Sequence, residues 1–376
     1  MQSSKASPRV LLFGTFVAFG GVETHVTILA KALCSRGATV TVFSLSSDFF
    51  TDRRKLFEAV GIECLATNRD SKSSLRSRQF AGIATLMTML RRRFDTICAF
   101  GPGGYWILLR HNLAQNGKLY FKDAGWGAGT TASPVPTQKL TLRYADAVLC
   151  NAPSVAQRLI TTYGLVMPPN VAATLALPEM ELPKLAEHTE ESKTRRLHIA
   201  FCGRLTEDKN VDVVLRLWSR LKIGPAQLHI FGGGPCEEEL RKLDAACHVE
   251  AIFHGRYFLE ELPGFLPMLD MIVLPSRSEG LGQVLIQGMA WGIPFVATCN
   301  GGPADIAAND PDLACANPED PDQLARAIEA VAARIRSGQV APKRLQDRFV
   351  REFSHNALIT HWPNGLLNHD WTNTSQ

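Results

Sequence analysis

Apolar runs alternate with helical stripes along the first 150 residues. "RVLLFGTF", residues 9 to 16, reads as a strand buried on both faces and ending in a glycine turn. "GGVETHVTILAKALCSRG", residues 20 to 37, places Val26, Leu29, Ala30 and Leu33 at helical spacing, and Gly37 stops it. "ATVTVFSL", "FDTICAFG" and "ADAVLCNA" read as further strands. Continuous apolar strands alternating with helices predict a parallel sheet covered on both faces. Residues 167 to 196 break the rhythm with four prolines and a charged tail, so an interdomain linker is expected. The alternation restarts with "LHIAFCGR", "QLHIFGGG", "EAIFHG", "MIVLP" and "PFVAT". From about residue 319 the chain is helical, with an acidic first turn and Gly338 as its stop. Pro363 and Gly365 predict a break in the tail.

The pattern therefore predicts an α/β protein of two doubly wound Rossmann-like domains facing a central cleft. The expected bounds are residues 1–170, a linker over 171–196, a second domain over 197–352, and a tail over 353–376. Ligands of such sheets sit beyond the carboxyl ends of the strands.

Composition narrows the function classes. With 376 residues, 45% hydrophobic and 20% charged, the chain can build two cores. A net charge of only +4 leaves no electrostatic footprint for nucleic acid. Nine scattered cysteines without a Cys-x-x-Cys pair point to reduced core thiols rather than zinc or disulfides. No run approaches the roughly 18 apolar residues that span a bilayer. The N-terminal apolar run is short and continues as a core strand, which is not a signal-peptide layout. A cytoplasmic protein is expected.

Four glycine-rich turns could carry chemistry. Gly20 and Gly21 precede a helix start, where free amides would meet an anion, although a plain tight turn accounts for them equally well. The stretch is not Gly-x-Gly-x-x-Gly, so a nicotinamide cofactor is not indicated. In "FCGRLTEDKN", Arg204 follows Gly203, and Lys209 opens the next helix; together they form either a diphosphate clamp or two solvated charges. "IFGGGPCEEEL", with Gly233 at its centre, suggests a close backbone approach to a base or sugar, or simply a helix entry. In "SRSEGLGQVLIQGMAWGIPFVAT", Glu279 ends a strand, and the amides of Leu281 and Gly282 lie near the next helix start. "NGGPAD" repeats the glycine-turn pattern.

Taken in order, the Gly20-Gly21 loop, "GRLTEDK", "HIFGGGP", "FHGR" and "PSRSEGLGQVLIQGMAWGIPFVATCNGG" resemble the family 4 glycosyltransferases of GT-B fold. The resemblance covers nearly the whole chain and is strongest over 199–306. It implies a retaining, metal-independent enzyme that needs no cofactor. A nucleotide-sugar donor would sit mainly on the C-terminal domain and the acceptor mainly on the N-terminal one, to which the last helix crosses back. Arg204 and Lys209 would grip the donor diphosphate, and Glu279 would bind sugar hydroxyls. Gly203, Gly233, Leu281 and Gly282 would line the donor, and the Gly20-Gly21 loop would close over its β-phosphate. Asp310-Pro311-Asp312 and Asp320-Pro321-Asp322 look like a metal-binding Asp-x-Asp, but each reads more simply as a loop with a helix-capping aspartate.

Two positions depart from the family. Gln287 stands where its pattern has a second glutamate for the ribose hydroxyls, and an amide accepts more weakly than a carboxylate. Lys122, with Asp123 beside it, stands where many members carry a histidine near the transferred sugar. Residues 71 to 93 hold six basic residues and no acidic one, with Ile83, Leu86, Met87, Leu90 and Phe94 at helical spacing. Such a helix packs on its own sheet or, together with the loop from 69, docks on anionic lipid. The resemblance favours a lipid-linked or polysaccharide acceptor and a bacterial envelope setting such as lipopolysaccharide assembly, with a UDP-sugar as default donor and a GDP-sugar open. A sugar-nucleotide 2-epimerase of the same architecture and a degenerate non-catalytic binder are the competing readings.

Overall fold

A computed structural model describes residues 7–16, 20–51, 53–70, 73–74, 77, 81, 92–100, 118–122, 145–164, 170–171, 173, 175–185, 195–299, 301–359 and 361–368. The chain forms two compact units, one running to Pro178 and resuming at His355, the other running from Glu179 to Ser354.

The first unit carries a seven-stranded parallel sheet in the order β3-β2-β1-β4-β5-β6-β7. Its strands are β1 (Arg9–Gly14), β2 (Thr39–Ser44), β3 (Glu63–Ala66), β4 (Thr96–Phe100), β5 (Lys118–Lys122), β6 (Ala147–Cys150) and β7 (Asn170–Val171). The central strands β1, β2 and β4 are almost wholly buried, which is why apolar residues dominate them, with Thr41 and Ser44 of β2 satisfied by hydrogen bonds to Glu63 and to Phe16 O. β3 and β7 lie at the edges, short and half-exposed, and no apolar run announces them.

The second unit has six parallel strands in the order β10-β9-β8-β11-β12-β13. They are β8 (Leu197–Cys202), β9 (Ala226–Phe231), β10 (Ile252–Gly255), β11 (Met271–Leu274), β12 (Phe295–Thr298) and β13 (Leu313–Ala316). Renumbered from one, this is the doubly wound order 3-2-1-4-5-6, with its topological switch between β8 and β11.

The start of the expected linker belongs to the first unit. β7 reaches Val171, and Leu175, Ala176 and Leu177 are buried there, so the prolines flank a packed segment. The expected break at Pro363 and Gly365 is absent. A helix spans His361–Asn368, because a proline in the first turn lacks an N–H that would have had no intrahelical partner anyway. Trp362 is fully buried, stacks edge-on against His25 at 4.5 Å and donates from Nε1 to Ala173 O at 2.8 Å. Thr96 Oγ1 donates to Leu366 O at 2.7 Å, fixing the same helix beside β4. Asn373 to Ser375, a glycosylation sequon on paper, lies outside the described residues.

All nine cysteines are free thiols, and Cys98, Cys150 and Cys202 are buried. Among the described residues no helix is long and apolar enough to cross a membrane.

One polar feature crosses the second sheet. His198 on β8, His229 on β9 and His254 on β10 form a chain, with His198 Nδ1 to His229 Nε2 and His229 Nδ1 to His254 Nε2 both at 2.9 Å. His229 is 2% exposed and has a histidine on each ring nitrogen. Burial, then the neighbouring His198, His254 and Arg196, depress its pKa to about 4. Burial also lowers that of His254. An unfolded His229 takes up a proton near pH 6.5 while the folded one stays neutral to about pH 4. Stability is therefore complete above pH 6.5 and falls as the pH drops through that window, by up to about 3 kcal/mol at about 1.4 kcal/mol per unit. Thermal unfolding between pH 7.5 and pH 4.5 should show this loss, and His229→Asn, with no titrating ring, should flatten the dependence.

Candidate active site

The site is built on the carboxyl ends of β8, β9, β11 and β12. Backbone contacts fix its loops first. Gly203 N donates to Phe231 O at 2.9 Å, and Leu205 N to Gly233 O at 3.1 Å, lacing the loops after β8 and β9 together. A β-carbon on Gly232 would overlap the carbonyl oxygen of Gly203, and its φ of 141° disfavours any side chain. On the other side of the switch point, Glu279 bridges to Gly301, and Gly302 N donates to Gly280 O at 3.1 Å. A β-carbon on Gly301, at φ 116°, would overlap the carbonyl oxygen of Glu279. Arg277 N donates to Asp208 O at 2.8 Å, tying the loop after β11 to the turn Glu207–Lys209 after β8.

The charged residues stand on this frame. Arg204 lies half-buried, directly after Gly203. Lys209 ends the turn Glu207–Lys209, and its Nζ lies 2.7 Å from Glu279 Oε2. Two residues 70 apart in sequence thus meet across the switch point. Ser276, itself buried, approaches the same carboxylate oxygen at 3.4 Å, and Thr298 Oγ1 holds the carbonyl of Ser276. The spacing of the motifs gave no sign of Ser276 or Thr298, because both act through a short-range contact made only in the folded unit.

Gly282 is the N-cap of the helix Gln283–Ala290, with Leu281 buried just before it. Gln287 lies in the second turn of this helix, 6% exposed. The helix is buried over nearly its whole length, which is why its sequence has no polar face. Gly233 lies against the side chain of Arg256, which follows β10.

Gly20 and Gly21 belong to the first unit, at the N-terminus of the helix Gly21–Ser35. Glu23, a residue the sequence reading passed over, is buried with its carboxylate beside Gly20. An acid three residues after an N-cap folds back over the helix start, and that spacing was the available signal. Lys122 ends β5, with its side chain outside the described residues, and Asp123 lies outside them altogether. Most of the basic segment 71–93 lies outside them as well.

The Asp-x-Asp look-alikes are held by the protein itself. Asp312 is fully buried, takes Arg334 at 2.7 Å, is also bonded by Arg344, and accepts from Ala341 N at 2.9 Å at the start of the helix Pro342–Glu352. Asp310 takes Arg344 at 3.0 Å and Arg348 at 3.4 Å. Burial alone would raise the pKa of Asp312, but the Ala341 N–H and the guanidiniums of Arg334 and Arg344 outweigh it and hold the carboxyl below its usual range. Asp320 caps the helix Pro321–Arg336 by accepting from Gln323 N at 2.9 Å.

The family model described as Glycosyltransferase Family 4 matches residues 19–172, and the one described as Glycosyl transferases group 1 matches residues 196–334. The chain is a family 4 glycosyltransferase. It is 24% identical over 345 residues to the lipopolysaccharide core biosynthesis glycosyltransferase LpsE of Rhizobium meliloti, covering 90% of this chain and 93% of that one. It is 28% identical over 332 residues to the D-inositol 3-phosphate glycosyltransferase of an Arthrobacter species, covering 75% of each. Among solved structures, sucrose-phosphate synthase from Thermosynechococcus elongatus matches with a TM-score of 0.78 at 16% identity, over 96% of this chain and 98% of that one. Anabaena HepE in complex with UDP and glucose matches at 0.72 and 15%, over 96% and 99%. The GT-B fold of this family 4 glycosyltransferase accounts for both likenesses. Membership also sets transferase chemistry above the epimerase and the non-catalytic binder.

The frame of this glycosyltransferase leaves no room at Gly301. Gly301→Ala should lower stability by about 1–3 kcal/mol, the scale of overpacking, and displace Glu279. Urea unfolding measures the first effect. Gly264→Ala, where a β-carbon meets nothing within 4 Å, is the control that should change little.

Proposed function

We propose that this glycosyltransferase moves a sugar from a nucleotide-diphosphate donor to a lipid-linked or polysaccharide acceptor, with retention of anomeric configuration. The carrying observation is the Lys209–Glu279 contact at the switch point of the second sheet, with Lys209 on the loop that Arg204 opens after β8. A cation pair and a carboxylate there match the two ends of such a donor. Arg204 and Lys209 bind the diphosphate. Glu279 accepts hydrogen bonds from sugar hydroxyls, and Gln287 accepts from the ribose.

In the reaction the bond between the anomeric carbon and the diphosphate oxygen breaks, and the electron pair stays on that oxygen. The acceptor hydroxyl forms the new glycosidic bond and gives up its proton. Charge grows on the leaving diphosphate in the transition state, so fixed cations beside it accelerate the step. No metal enters this reading.

A UDP-sugar is the favoured donor and a GDP-sugar the alternative. The Anabaena neighbour holds UDP and glucose, and the Rhizobium relative is named for lipopolysaccharide core biosynthesis. The first supports a UDP-sugar donor, and the second supports a setting in envelope glycan assembly. Contact of residues 69–93 with anionic lipid belongs to the same reading.

Release of UDP or GDP is measured with candidate nucleotide sugars and lipid-linked glycan acceptors. Arg204→Ala and Lys209→Ala should each lower kcat by about 100-fold or more, as loss of one transition-state donor does. Undiminished turnover in both would remove the clamp. Gln287→Glu should tighten donor binding several-fold, since charge-assisted bonds are about twice as strong as neutral ones. An unchanged Kd would show that Gln287 does not reach the donor.

A further inference from the structure

Lys209 and Glu279 are each other's principal partners. Their side chains are 13% and 18% exposed, and 2.7 Å separates the charged atoms. Among the described residues, Lys209 otherwise has only Asp208 at 3.8 Å, and Glu279 only the Ser276 hydroxyl at 3.4 Å. Their loops cannot simply drift apart, because Arg277 N is bonded to Asp208 O and Glu279 is bridged to Gly301. A charge this far out of water is costly once its partner is withdrawn.

This geometry sets up a competition that rests on the donor reading above. A diphosphate and the Glu279 carboxylate both need the Lys209 ammonium. When an intact nucleotide sugar binds, Lys209 turns to the diphosphate, and the sugar hydroxyls donate to the carboxylate left behind. Nothing charged is stranded. When only the nucleoside diphosphate is present, no hydroxyl replaces the lysine at Glu279. The ammonium is shared, or the carboxylate is left uncompensated.

We infer that Glu279 discriminates donor from product: once the sugar has left, it reclaims Lys209 and weakens the hold on the nucleoside diphosphate. The residue then has two roles, holding the sugar before transfer and expelling the nucleotide after it. Its loss should act in opposite directions on the two ligands, which a purely sugar-binding glutamate would not do.

Titration calorimetry with UDP, GDP and their sugar conjugates tests this on the wild type, Glu279→Gln, Lys209→Ala and the double variant. Glutamine keeps the shape and an acceptor oxygen but carries no charge. Glu279→Gln should bind the nucleoside diphosphate about tenfold tighter, the scale of one charged hydrogen bond. It should bind the nucleotide sugar no better than wild type, and product inhibition should deepen in parallel. In the double variant the tightening should vanish, because no ammonium is left to be freed. If Glu279→Gln binds the nucleoside diphosphate equally or more weakly while Lys209→Ala weakens it, the competition does not exist and the inference is overturned. If the wild type binds neither UDP nor GDP, nor their sugar conjugates, the donor reading itself fails, and the inference with it.

Discussion

Two carbonyl oxygens, those of Gly203 and Glu279, occupy the space that side chains on Gly232 and Gly301 would need. Everything at the carboxyl edge of the second sheet depends on that closeness. Backbone packed on backbone cannot rotate away as a side chain can, so four loops from four strands act as one rigid edge. Arg204, Lys209 and Glu279 are carried on it, two on one side of the topological switch and one on the other. A backbone held this way fixes where the three side chains start, whichever partners they take.

The second unit uses carboxylates in two distinct ways. Asp310 and Asp312 are met by Arg334, Arg344 and Arg348, and Asp312 also accepts a backbone N–H. Such a network fixes the helix Pro342–Glu352 and leaves the two carboxylates fully engaged. Glu279 has one lysine and a distant hydroxyl. A carboxylate with so few partners can exchange one of them for a ligand, and a saturated one cannot. The sequence spacing Asp-x-Asp is silent on this difference, because the arginines that decide it lie 22 to 38 residues away.

Legibility followed burial. Most strands read from sequence, β1, β2, β4, β8, β9, β11 and β12, are largely buried, although the half-exposed edge strand β10 was read as well from its run "EAIFHG". The edge strands β3 and β7 had no such signature. Two proline-bearing stretches misled for one reason. Proline was read as a breaker, although beside Leu175–Leu177 it flanks a buried segment and in His361–Asn368 it occupies a first-turn position where no hydrogen bond is lost. The histidines at 198, 229 and 254 lie in three separate strands, far apart in the chain. Only the parallel register of β8, β9 and β10 lines them up.

The sequence by itself determined the doubly wound class and the glycine turns at strand ends, which are written in local periodicity and in residues a few positions apart; Arg204, Lys209 and Glu279 entered as candidates through the family resemblance of their motifs. The tertiary structure alone decided which of those residues touch. Lys209 meets Glu279 because the sheet order places β11 beside β8, although β9 and β10 come between them in the chain. Pairing of that kind is set by strand order and loop packing, which no local pattern encodes.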